Sequence, residues 1–152
     1  MSERPVICFY SAIGPHGELS NFARYPVMMS GKQWPTSEHY FQAQKFSDDA
    51  VRAKIRRAGS PSIAAQIGRD RRNPLRCDWE SVKVQLMRDV VLAKFSQHET
   101  LRELLLETGN AELVERTDRD SFWGDGGDGS GKNMLGRILM EVRDTLPMGN
   151  AF

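Results

Sequence analysis

The sequence predicts an α+β protein: a single compact, helix-rich domain over residues 1–152 with a few short strands. Three observations carry that expectation. A chain of 152 residues fits one domain. Its 39% hydrophobic and 27% charged residues can bury a core without being disordered. Apolar residues recur at three- and four-residue steps through the second half, while β-branched and aromatic runs are short and few.

Val6 to Ser11 is rich in β-branched and aromatic residues and reads as an opening strand. Val27–Met29 and Lys32–Trp34 flank Ser30-Gly31, a hairpin turn where glycine supplies positive φ. Pro35 ends that strand. Thr36 or Ser37 can cap a helix running to about Phe46, Asp48 can open a second through Ala58, stopped by Gly59, and Ser60-Pro61 starts a third. From Asp78, whose side chain can cap, Trp79, Val82, Leu86, Val90 and Ala93 form a helical stripe. A helix from about Glu99 to Thr108 ends at Gly109, and Ala111 to Arg116 reads as a return strand. Leu135, Ile138, Leu139, Val142 and Leu146 mark a last amphipathic helix before Pro147.

Charge is unevenly distributed. The whole chain carries +1, yet Arg52 to Arg76 holds eight basic residues against Asp70 alone, a local +7. Such a patch suits phosphate or nucleic acid, and equally a solvated helix face. The two cysteines, Cys8 and Cys77, form no C-x-x-C pair, which fits a reducing compartment. No apolar run is long enough to cross a bilayer and the N-terminus lacks a secretory pattern, so the expected location is cytoplasmic with no membrane partner.

The stretch WGDGGDGSGKN, Trp123 to Asn133, places Gly126, Gly131 and Lys132 in the spacing of a P-loop. A P-loop follows an apolar strand and ends in Ser or Thr. Here TDRDSFW precedes the glycines and Asn133 follows Lys132, which removes the triphosphate reading. Asp125 and Asp128 do not fit a calcium loop, and histidines at 16, 39 and 98 are too scattered for a metal centre, so no metal and no cofactor are expected. The glycines could still let backbone N–H groups approach an anion, with the last helix's N-terminus as receptor. A flexible loop with Trp123 plugged into the core fits the same residues.

A second constellation is PTSEHYFQAQKF. Glu38 falls in the first helical turn and Lys45 seven residues on, which on a continuous helix puts both on one face about 10 Å apart. A dipole-placed glutamate and an exposed lysine are the plainer account of that spacing. Ser20-Asn21-Phe22 and Trp79 are further candidates, for which a local turn and a core anchor suffice.

Taken together, LSNF (19–22), WPTSEHYFQAQKF (34–46), AAQIGRDRRNPLRCDWESVK (64–83) and FWGDGGDGSGKNMLGRILMEVR (122–143) closely resemble the YbiA-like, or NADAR, family of N-glycosidases. The resemblance implies the YbiA-like α+β fold and hydrolysis of a bond between ribose C1 and an amino nitrogen. It implies two substrate classes: ADP-ribose on the guanine amino group of DNA or RNA, and phosphoribosylamino-pyrimidine intermediates of riboflavin synthesis. It carries catalytic roles onto Glu38, Lys45 and Asp125, and a loop tryptophan onto Trp123. Ser20, Asn21, Phe22, Arg69, Trp79, Gly124, Gly126, Lys132 and Asn133 complete the expected substrate contacts.

Those residue types suit the reaction. Breaking an N-glycosidic bond builds positive charge at C1, which a carboxylate stabilises while an acid or base manages water and the leaving amine. Glu38 and Asp125 are expected to share those tasks. Lys45 can hold a phosphate or ribose hydroxyl, or capture the opened sugar as a Schiff base. Trp123 would stack on base or sugar, with glycine N–H groups and arginines receiving phosphate. A module that binds ADP-ribose without cleaving it is the rival reading.

Overall fold

Short-range signals decide most of the elements. In the computed structural model, described here for residues 3–147, β1 (Val6–Phe9), β2 (Val27–Met29), β3 (Lys32–Trp34), α1 (Ser37–Ala43), α2 (Asp49–Arg56), α3 (Pro61–Arg69), α4 (Trp79–Gln97), α5 (Glu99–Glu107), β4 (Glu112–Glu115) and α6 (Met134–Thr145) follow in order. The α+β class stands. The described chain forms two compact units: residues 3–23 with 95–147, and Arg24–Lys94, the boundary falling inside α4.

In the Arg24–Lys94 unit, β2 and β3 pair antiparallel with Met29 opposite Lys32. Ser30 and Gly31 both take positive φ, 55° and 75°, as a two-residue turn matched to strand twist requires. The helix starts are capped as expected: Thr36 accepts from His39 N–H, Asp48 from Ala50 N–H and Ser60 from Ile63 N–H, with Pro61 in the first turn. Two expectations need correction. The α1 helix ends at Ala43, because Lys45 N–H and Phe46 N–H turn back to the carbonyls three residues earlier, tightening the last turn. The Asp78 carboxylate does not cap α4 but is held by the Arg76 guanidinium at 2.6 Å.

In the other unit, β1 and β4 pair in parallel, from Val6 opposite Glu112 to Phe9 opposite Glu115. Both strands are shorter than the sequence suggests. The α6 stripe of Leu135, Ile138, Leu139, Val142 and Leu146 is buried throughout, and Leu101 and Leu105 bury the face of α5. In α4, which belongs to the Arg24–Lys94 unit as far as Lys94, the buried positions are Trp79, Met87, Val90, Val91, Lys94 and Phe95, so the core stripe is rotated from the expected one and includes a lysine. A parallel pair sends the segments after both strands from the same end, so residues 10–23 and 116–133 leave from the carboxyl edge of one sheet, where α/β proteins commonly place ligands.

Candidate active site

In the Arg24–Lys94 unit, Glu38 lies one residue into α1 and is only 8% exposed. Gln42, one turn later, donates from Nε2 to Glu38 Oε2 at 2.6 Å, and its own Oε1 has no hydrogen-bond partner. The amide rests on α3: a Cβ at Gly68 would come within 1.9 Å of Gln42 Oε1. His39 anchors the same turn. Its Nε2 lies 3.0 Å from the Ala58 carbonyl, which can only accept, so Nε2 carries the proton and Nδ1 accepts the Thr36 hydroxyl at 2.8 Å. Burial, with Arg24 adding to it against the Ala58 bond, holds this imidazole's pKa below its ordinary value and keeps it neutral.

Lys45 follows the C-cap of α1 rather than continuing its face, so the expected helical stripe from Glu38 does not extend to it. Its carbonyl accepts from Arg76 N–H at 2.8 Å, tying the basic loop to the end of α1. Trp79 is buried against Phe41, ring centroids 5.1 Å apart. Within the basic segment, Arg72 is bound to Asp70 at 2.6 Å and holds that carboxyl down at about 2, and Arg76 is bound to Asp78. Arg69 and Arg71 remain exposed and form no ion pair among the described residues.

In the other unit the glycine stretch is an organised loop. Asp120 Oδ1 accepts the N–H groups of Phe122 and Trp123. Asp125, 2% exposed, accepts from Thr117 N–H at 3.1 Å and Gly127 N–H at 2.8 Å through Oδ1. Its Oδ2 lies 3.2 Å from Arg116 Nε, close enough for an ion pair but misaligned for a hydrogen bond. Trp123 packs edge-on to Phe122 at 4.8 Å, and Lys132 Nζ sits 5.5 Å from the Phe122 ring. Ser20 Oγ accepts from Phe22 N–H, Ser20 and Asn21 are buried, and Phe22 is 38% exposed.

This geometry corrects the anion-receptor expectation. The N–H groups of Lys132, Asn133, Met134 and Leu135 donate to the carbonyls of Ser121, Gly124, Phe122 and Trp123, and Gly126 and Gly131 N–H donate to Asp120 and Asp125 carbonyls. The start of α6 is therefore capped by its own loop and offers those donors to no phosphate. Gly124 answers to packing, since a Cβ there would meet Thr117 Cγ2 at 2.4 Å, and Gly126 to its backbone, with φ 76°. Asn133, assigned to substrate by the sequence, adopts φ 52° and spends its amide on β4, accepting from Glu115 N–H and donating to the Leu113 carbonyl. Gln42, Gly68, Arg116 and Asp120 are not among the site residues expected from the sequence. The only signals were a glutamine four residues after Glu38, a glycine ending α3 and an Asp two residues before Phe122.

A model of the NADAR domain matches residues 8–147, and the chain belongs to that family. It is 58% identical over 141 residues to N-glycosidase YbiA of Escherichia coli, covering 93% of this chain and 88% of that protein. It is 46% identical over 144 residues to a riboflavin biosynthesis protein of Vibrio vulnificus, covering 95% of this chain and 39% of that one. The NMR structure of E. coli YbiA superposes with a TM-score of 0.87 at 56% identity, covering 95% of this chain and 86% of that one. Among the described residues, no helix is long and apolar enough to cross a membrane, and no His, Cys, Asp and Glu cluster is placed to hold a metal.

Proposed function

We propose that this chain is an N-glycosidase that hydrolyses the bond between ribose C1 and an amino nitrogen, with Glu38, Lys45 and Asp125 as its catalytic residues. The observation that carries the reading is the Glu38 carboxylate, buried in the first turn of α1 and held by an amide donor. Burial strengthens its interaction with positive charge arising at C1. Water adds at C1, the amine leaves with a proton, and the products are a free sugar phosphate and an amino-substituted base. Lys45 serves either as a cation toward phosphate or as the amine that captures C1 of the opened sugar, releasing the base and then being regenerated by water. Trp123 stacks on the base or sugar, and Ser20, Asn21 and Phe22 supply further substrate contacts. The reaction uses small metabolites or nucleic acid of the cytoplasm.

The substrate proposed first is ADP-ribose on a guanine amino group of DNA or RNA. Arg69 and Arg71, exposed and outside any ion pair among the described residues, suit its two phosphates and a flanking backbone. A modified guanine would be met in single-stranded or extruded form. The second reading, phosphoribosylamino-pyrimidine intermediates of riboflavin synthesis, is favoured by the name of the Vibrio relative. Incubation with a guanine-ADP-ribosylated oligonucleotide and, separately, with the riboflavin intermediate tests both: free ADP-ribose or ribose phosphate is expected. Folded protein that releases neither contradicts the glycosidase, and intact mass after borohydride treatment reads whether Lys45 forms a Schiff base.

A further inference from the structure

We propose that Gln42, seated in a hollow that exists only because residue 68 is glycine, is the positioning residue that aims the Glu38 carboxylate. The inference rests on the reading of Glu38 as catalytic. Positions 38 and 42 are one turn apart on the same face of α1, so their side chains meet without distortion. The bond between them, 2.6 Å from Nε2 to Oε2, is short for a nitrogen donor, as expected when the acceptor is ionised. The amide orientation follows from that charge, since the reversed amide would set two oxygens against each other.

What makes this more than a helix pair is the other end of the amide. Gln42 is 7% exposed and its Oε1 is buried with no donor. A buried acceptor without a partner is destabilising, and a methionine or leucine would fill the same volume without one. Stability alone does not select glutamine here; a donor facing Glu38 does. The Gly68 backbone closes the hollow, for a Cβ there would lie 1.9 Å from Oε1 and 2.7 Å from Cδ. Both atoms belong to the amide itself, so any side chain at 68 must displace the group that holds Glu38. Gly68 has no positive φ, so close approach is its reason to be glycine.

Four variants test this, Gln42→Leu, Gly68→Ala, Gln42→Ala and the double variant Gln42→Ala with Gly68→Ala, each checked for folding by amide NMR. Gln42→Leu and Gly68→Ala should each lower kcat by roughly 10- to 100-fold with little change in KM, the scale of a misplaced catalytic group. Gly68→Ala should cost much less in Gln42→Ala than in wild type, since no amide remains to displace and only the residue 42 Cβ, at 3.3 Å, is still crowded. A readout free of substrate is the 13C titration of the Glu38 carboxyl. Losing a donor to the charged form should move its midpoint to higher pH in Gln42→Leu, and the limb of the pH–kcat profile set by Glu38 should follow. Wild-type kcat and an unmoved titration in Gln42→Leu would overturn the proposal. So would Gly68→Ala costing as much in Gln42→Ala as in wild type. If Glu38→Gln itself retains full turnover, the catalytic reading beneath it fails instead.

Discussion

Asn133 acts as a strand neighbour to Glu115, accepting its N–H at 3.0 Å while donating to the Leu113 carbonyl at 2.9 Å. Leu113 and Glu115 point to the edge of β4 opposite the one that Glu112 and Arg116 present to Pro5 and Phe9. One side chain thus closes a sheet edge and, at φ 52°, turns the chain into α6. Few residues can do both, since asparagine tolerates the left-handed region.

Replacing Asn133 by serine completes the P-loop pattern in sequence. The expected outcome is a destabilisation of about 3 kcal/mol, from two part-buried backbone groups left unpaired and the left-handed φ. Binding of ATP should not appear, because the loop's own carbonyls occupy the N–H groups at the start of α6. Denaturant unfolding and isothermal titration with Mg-ATP check the two halves; nucleotide binding would contradict the capped-loop description.

Gly136→Ala should disrupt the same bridge from the helix side. A Cβ there would meet the Leu113 carbonyl oxygen at 2.1 Å and the Asn133 amide at 2.4 and 2.6 Å. Backbone cannot yield cheaply, so a loss of about 3 kcal/mol is expected in denaturant unfolding. A change within 0.5 kcal/mol, the range of about ±0.5 kcal/mol seen for neutral surface substitutions, would contradict it.

Asp125 organises its loop, and the catalytic role proposed for it separates from that by substitution. Asparagine keeps an oxygen able to accept from Thr117 and Gly127 but removes the charge. Asp125→Asn should therefore keep the loop's amide NMR pattern while turnover falls by about 100-fold or more. Asp125→Ala should lose both loop order and turnover. An active, folded Asp125→Asn would leave Asp125 as a loop organiser alone.

The sequence made the local elements legible because their causes are local: Thr36, Asp48 and Ser60 cap the helices they precede, and the α6 stripe is buried residue for residue. What it concealed depends on distant partners. Asp78 looked like a cap until Arg76 claimed its carboxylate, and the close packing of Gly124 on Thr117, Asp120 and Glu115 needed the folded loop. Glu38 stood out by resemblance, but its Gln42 and Gly68 support needed α3 laid against α1.

His39 makes folding sensitive to acid. Its pKa is lowered in the folded state from 6.5, so the unfolded chain takes up a proton first as pH falls. This contribution is present above pH 6.5 and is lost as pH drops from 6.5 toward the folded value. Ring 15N shifts should show a neutral imidazole protonated on Nε2 at pH 6.5, and thermal stability should decline below it. Titration of His39 at or above 6.5 would contradict the burial argument.

If the Glu38 carboxylate performs the cleavage, as proposed, single-turnover release of free ADP-ribose or ribose phosphate by wild type and Glu38→Gln shows it without intermediary. The glutamine keeps an oxygen to accept from Gln42, so the fold should be unchanged in amide NMR. Wild-type release with a loss of about 1,000-fold or more in the folded variant is the predicted result. Comparable release by both proteins would contradict the account.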